Sequence, residues 1–206
     1  MTDQAKHTMS SNRILQVGAL AFVTTIAACA KAPAEAIGMA TQAEDAASAA
    51  GAVEYAPDAM HAVTEARAAM EAEVAAQDER MAIRRSYDRA EELAVAYQQA
   101  GERAAQAAAD GRQAARTEAT LMIEETKVML TEVLTMLDTA PVGKGSHADL
   151  AAMRIDLEAA EAGLLGAETS MASEKFLEAK TGVTATRETV ANVKAAVQQA
   201  LAMRVR

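Results

Sequence analysis

Downstream of residue 57, apolar side chains recur at three- and four-residue steps along most of the chain, the spacing of helices that each bury one face. Pro57 suits a first helical turn, because its missing N–H would have no partner there. Met60, Val63, Ala66, Met70, Val74 and Met81 continue the pattern and predict a helix over 57–81. A second helix is expected from Arg85 or Ser86, with Tyr87, Ala90, Ala94, Tyr97, Gly101, Ala104 and Ala108 on one face. Small residues allow close helix approach but bury little area each, so at about 25 cal/mol per Å² the hairpin 57–110 is expected to be the softer half. Asp110 and Gly111 offer a turn, yet helical residues continue on both sides. A lone glycine costs only about 1 kcal/mol against alanine, and the pattern favours one helix over 86–139, on the order of 80 Å long.

The next region is more strongly patterned. Ile123, Leu130 and Leu137 repeat at sevens, as do Met122, Met129 and Met136, with Val133 and Leu134 between them, a seam broad enough to face two neighbours. The sequence PVGKG after residue 140 is a break, and Ser146 with Asp149 can cap the helix that follows. That helix carries Leu150, Leu157, Leu164 and Met171 at sevens, beside Met153, Ala160 and Ala167; the last, over 173–203, carries Phe176, Val183, Val190 and Val197, beside Ala179, Val193 and Ala200. The expected fold is all-α: long antiparallel helices forming a hairpin over 57–110 and a three-helix, coiled-coil-like bundle over 111–206. Tyr87, Asp88, Arg89 and Ala90 find a faint echo in Phe176, Leu177, Glu178 and Ala179, where each aromatic starts a helix and can plug the end of its hairpin. Internal duplication and chance likeness between alanine-rich helices both account for this echo.

The chain upstream of Pro57 differs in kind. Residues 29–56 are small and weakly patterned, with few large apolar groups to bury, and read as a flexible tether with a transient helix near 41–50. Before them, a polar start with Lys6 and Arg13 leads into the 15-residue apolar run 14–28, which is shorter than the about 20 residues a membrane span needs. It has the layout of an export signal, and Met9 offers a second start. The run ends in Ile26, Ala27, Ala28 and Cys29, the only cysteine in the chain. Small side chains fit a protease's narrow site, and a thiolate is the one good sulfur nucleophile available to carry a lipid.

These four residues resemble the lipobox of bacterial lipoproteins. The resemblance implies removal of residues 1–28, with Ile26, Ala27 and Ala28 recognised by the signal peptidase, and lipidation of Cys29 by a diacylglyceryl thioether and an amide-linked acyl chain such as palmitate. Ala30 in place of an aspartate implies the outer membrane, with the domain facing the periplasm. Two or three acyl chains hold a protein where one anchors marginally, each buried CH₂ contributing about 0.8 kcal/mol. Together with Glu54, Tyr55, Ala56, Pro57 and Asp58, residues 15–110 resemble alanine-rich bacterial lipoproteins defined only as a domain of unknown function, a family that implies no activity.

Charge and composition narrow the partners. Aromatic residues make up 2% of the chain, there is no tryptophan, and the formal net charge is −9, which becomes −10 once Asp3, Lys6 and Arg13 leave with the leader. An acidic chain without a basic stripe disfavours nucleic acid, and the same charge discourages the domain from lying flat on anionic lipid. Chemistry-bearing groups do not assemble into a site. His7, His61 and His147 are isolated, without metal-ligand spacing. Glu91 with Glu92 and Glu124 with Glu125 are adjacent on helices and point about 100° apart. Gly143, Lys144, Gly145 and Ser146 lack the upstream glycine and the preceding strand of a phosphate loop. The methionines, including Met122, Met129, Met136, Met153 and Met171, fall on core faces; core filling explains them, with a Met-lined groove as the alternative. No cofactor, no metal, no small-molecule substrate and no catalysis are expected. The expected role is that of a lipid-held scaffold whose helical surfaces dock protein partners. The competing reading is a carrier or chaperone-like binder of apolar or unfolded clients.

Overall fold

The computed structural model describes residues 31–140 and 147–204. Ile26, Ala27, Ala28, Cys29 and the whole leader lie outside the described residues, as do the break at 141–146 and the Ser146 cap. Among the described residues the chain is all α, with no strand: α1 (Ala34–Ala49), α2 (Ala52–Tyr55), α3 (Pro57–Asp78), a 3₁₀ turn (Ala82–Arg84), α4 (Asp88–Thr139), α5 (His147–Ala172) and α6 (Phe176–Arg204).

The spine is α4, whose 52 residues run without interruption through Gly111 and span about 80 Å. Its first half carries α1 and α3, which scarcely touch each other; its second half carries α5 and α6, which pack on each other as well. Glu118, Glu125 and Glu132 of α4 pair with Lys180, Arg187 and Lys194 of α6 at one constant offset, so these two helices run parallel. The pairs Asp138–Arg154 and Lys127–Glu168 step in opposite directions along α4 and α5, which are therefore antiparallel. The first half has the same up-down-up arrangement: α3 returns antiparallel to α4, and α1 runs parallel to it with Ala43 against Gly101, a course that α2 continues with Tyr55 against Gly111. Two three-helix bundles are thus joined end to end by one shared helix.

Buried positions on α4 follow alternating steps of three and four through Ala90, Ala94, Tyr97, Gly101, Ala104 and Ala108, and again from Ile123 through Thr126, Leu130, Val133 and Leu137. Between the two runs, Ala115, Ala119 and Ile123 succeed one another in steps of four. Such an insertion unwinds a heptad pattern locally, and it falls where the partners of α4 change. The echo noted in the sequence extends along both hairpins. Tyr87, Ala90, Ala94, Tyr97, Gly101, Ala104 and Ala108 are buried, and so, at one constant offset, are Phe176, Ala179, Val183, Thr186, Val190, Val193 and Val197.

The two cores differ in material. The second is assembled from Ile123, Leu130, Val133, Leu137, Leu157, Leu164, Val183, Val190, Val193 and Val197, with Met122, Met129, Met136, Met153 and Met171 packed at its margin. The first is mostly alanine around Val63, Met70 and Tyr97, and it includes a helix where composition predicts a tether. Within the segment 29–56, α1 lies along α4, with Ala40 and Ala47 fully buried. Alanine buries little per side chain, but it lets backbones approach: a Cβ added at Gly101 would stand 2.7 Å from the carbonyl carbon of Ala43. The missing bulk is made up by proximity, which a search for large apolar residues overlooks. A second departure is Met81, expected on the buried face of the first hairpin helix. Instead α3 ends at Asp78 and Met81 is 61% exposed.

The joint between α3 and α4 is tightly bonded. Gln77, buried, donates through Nε2 to Glu73 at 2.7 Å and accepts the Ser86 amide at 3.2 Å. The Tyr87 hydroxyl donates to Asp78. Arg85 donates to the carbonyls of Arg80 and Asp78 at 2.9 and 2.8 Å, satisfying groups that the end of α3 leaves without helical partners. The α5–α6 joint closes differently: Glu174 takes a left-handed φ of 60°, while the amides of Glu174 and Lys175 bond the carbonyls of Met171 and Ser170 in the pattern of a Schellman cap.

Candidate functional site

One polar cluster ties all three helices of the first bundle together. Arg67 of α3 donates through Nη1 to Glu44 Oε1 of α1 at 3.0 Å, and the Tyr97 hydroxyl of α4 donates to the other carboxylate oxygen of the same glutamate. Tyr97 is 1% exposed. Its phenol is pushed up to about 12, first by burial and then by the hydrogen bond to Glu44, both of which disfavour the phenolate. In a core of near-identical alanines, sliding α1 by one turn would cost little packing, and this shared carboxylate supplies a discrete register. Beside it, α1 and α3 diverge and leave a shallow groove of about 310 Å³, lined by Ile37, Thr41, Arg67, Met70, Val74 and Tyr97 among others. A second groove of about 640 Å³ lies between α5 and α6, lined by Asp149, Leu150, Met153, Asp156 and Val193 among others.

The second bundle is laced on its surface. Glu118–Lys180, Glu125–Arg187 and Glu132–Lys194 close at 2.5, 3.0 and 2.7 Å. Lys127 lies between Glu168 at 2.7 Å and Glu124 at 2.9 Å, and these two carboxylates, Glu168 first, hold its amine above the usual lysine range. At the junction of the bundles Arg112 bonds Glu174 at 2.5 Å and its guanidinium lies 5.7 Å from the centre of the Phe176 ring. Exposed pairs of this kind contribute roughly 0–1 kcal/mol each, so their principal effect is on alignment. Taken only as a neighbour of Glu124, Glu125 does not reveal this ladder. The signal was present as acids at sevens on α4 and bases at sevens on α6.

Residues singled out in the sequence do not converge on one place. His61 is exposed and faces Glu65 at 3.7 Å on the same helix; His147 begins α5. Glu92 pairs with Arg89 at 2.7 Å, and Glu124 and Glu125 pair with different helices' cations. Met122, Met129, Met136, Met153 and Met171 are split around the second core as side-chain filling. Among the described residues no group of three His, Cys, Asp or Glu side chains is placed to hold a metal ion, and no helix is long and apolar enough to cross a membrane. Residues 143–146 lie outside the described residues. Comparison with protein-family models, with curated proteins and with solved structures found no match.

Proposed function

We propose that this is a lipid-anchored protein of the bacterial envelope, held in the outer membrane through acylated Cys29, whose helical rod spaces or docks protein partners in the periplasm without catalysis. The observation that carries the reading is the apolar run 14–28 ending in Ile26, Ala27, Ala28 and the lone Cys29. The architecture is compatible with a spacer. A shared helix of 52 residues and ion pairs at heptad spacing resist bending, and the side-chain polar atoms buried among the described residues all have partners, which favours a body that keeps one shape. Because α1 starts at Ala34, the five chain steps from Cys29 span at most about 18 Å. The rod would then stand close to the bilayer instead of ranging on a long leash.

The experiment is expression in a bacterial host with radiolabelled palmitate. The label should enter the wild-type chain and not Cys29→Ser, and only the wild type should sediment with the envelope. Equal sedimentation of both, without label, would overturn the proposal. One observation favours the carrier reading, the apolar groove between α1 and α3. At about 310 Å³ it is at the lower limit of sites for small molecules. A carrier should bind hydrophobic dye stoichiometrically at this groove, and Val74→Glu should abolish that binding; the scaffold reading expects no dye binding.

A further inference from the structure

The outermost part of the α3–α4 joint joins two features that occur together nowhere else among the described residues. Ile83 is 89% exposed, more than any other large apolar side chain described, and Met81 is 61% exposed. From Arg80 to Arg85 the sequence RMAIRR holds three arginines and no carboxylate, within a chain of net charge −9. The flanking acids frame the turn: Asp78 accepts the Tyr87 hydroxyl, Asp88 accepts the Ser86 hydroxyl at 2.8 Å, and Glu79 is exposed where α3 ends. Arg89 is paired with Glu92. Arg85 is spent on the carbonyls of Asp78 and Arg80, which stiffens the turn, while Arg80 and Arg84 remain exposed beside Met81 and Ile83.

This turn lies at the end of the rod where α1 begins. Ile37, in the first turn of α1, lines the same groove as Val74 and Asp78, in the last turns of α3. The start of α1 and the turn 79–87 therefore belong to the same end.

We propose that this turn is a membrane-contacting foot: Ile83 and Met81 enter the interfacial region of a bilayer and Arg80 and Arg84 meet the phosphates of its headgroups, so that the rod stands on its end. Two apolar side chains and two cations give weak, reversible attachment, of the kind that adds to an acyl anchor without replacing it. The acidic flanks of both bundles oppose lying flat on anionic lipid, whereas the foot, among the described residues, places exposed arginines beside exposed large apolar side chains. The direction of approach rests on the lipid-anchor reading; the contact itself does not.

The test uses the chain beginning at residue 29, which retains every described element, with Cys29→Ser so that no acyl chain is present. It is mixed with vesicles of phosphatidylglycerol and phosphatidylethanolamine, or of phosphatidylcholine alone, and sedimented. Binding to the first should exceed binding to the second, and Ile83→Asp, or Arg80→Glu with Arg84→Glu, should each weaken it at least about tenfold. Val128→Asp, at a 70% exposed apolar site on α4, should leave it unchanged, and circular dichroism should show all variants equally helical. No vesicle binding, or loss that is equal with Val128→Asp, overturns the proposal. So does a turn that captures a protein partner from solution while ignoring vesicles. Each of these outcomes leaves acylation of Cys29 untouched, and failure of acylation leaves this contact standing.

Discussion

Replacing Gly101 by alanine asks whether α1 truly presses on α4. On helix propensity alone the change is favourable, by about 1 kcal/mol in a helix interior. In the structure the new Cβ would lie 2.7 Å from the Ala43 carbonyl carbon and 2.9 Å from the Ala43 Cβ and the Glu44 amide nitrogen. Two of those three atoms are backbone, so α1 must shift by about 0.7 Å to restore an ordinary contact, and overpacking of this kind costs about 1–3 kcal/mol. Taking the upper part of that range for backbone against backbone, the net effect is a loss of about 2 kcal/mol. Gly38 of α1 is the control in the same bundle, since a Cβ there meets nothing within 4 Å, and Gly38→Ala should gain up to about 1 kcal/mol. In thermal melts followed by circular dichroism, Gly101→Ala should lower Tm by about 4–8 °C and Gly38→Ala raise it by about 2–4 °C. If Gly101→Ala were stabilising and Gly38→Ala silent, residues 34–49 would be a tether and the first bundle would lose its third helix.

Other consequences are open to direct measurement. Tyr97 carries a phenol raised to about 12, so the folded state keeps its proton longer than the unfolded chain. Its contribution is whole below about pH 10 and is lost as pH rises towards 12, amounting to roughly 2–3 kcal/mol. Urea titrations between pH 9 and 12 should show that decline in the wild type and a shallower one in Tyr97→Phe; identical slopes would discount the burial of this hydroxyl. Glu174→Gly removes a left-handed strain of about 1–2 kcal/mol against the loss of an exposed ion pair to Arg112 of about 0–1 kcal/mol, so chemical denaturation should show stability unchanged or up to about 2 kcal/mol higher, and a clear loss would contradict the cap. Leu157→Ala, at a site with no exposure, should cost about 2–5 kcal/mol in the same assay, and a cost below about 1 kcal/mol would argue against the second core.

Legibility in the sequence followed side-chain size. Leu157 and Leu164 of α5, with Val183, Val190 and Val197 of α6, announce their helices because large groups at sevens leave no other arrangement, and those helices appear with ends close to those expected. Continuity through Gly111 was favoured but not fixed, because Asp110 and Gly111 offer a turn while helical residues continue on both sides with no proline between them. The third helix of the first bundle was not, because Ala40 and Ala47 look the same whether a helix buries them or a linker exposes them; only the facing Gly101 and the Glu44 carboxylate reveal the partner. The two exposed residues of the α3–α4 turn were hidden for the opposite reason. Met81 falls in step with the pattern of α3, and nothing in the spacing says that the helix stops at Asp78, where Tyr87 and Arg85 fold back to close it. The proposed anchor, by contrast, is written wholly in local sequence, in four residues before which the charge and apolarity of a leader are laid out in order.

The lipid anchor is tested most directly by the mass of the chain as it exists in the envelope of a bacterial host. The account predicts a chain that begins at Cys29, heavier than its amino-acid sequence by a diacylglyceryl group and an acyl chain, with both additions on the N-terminal peptide. A chain that retains residues 1–28, or one that begins at residue 29 with an unmodified thiol, would contradict it.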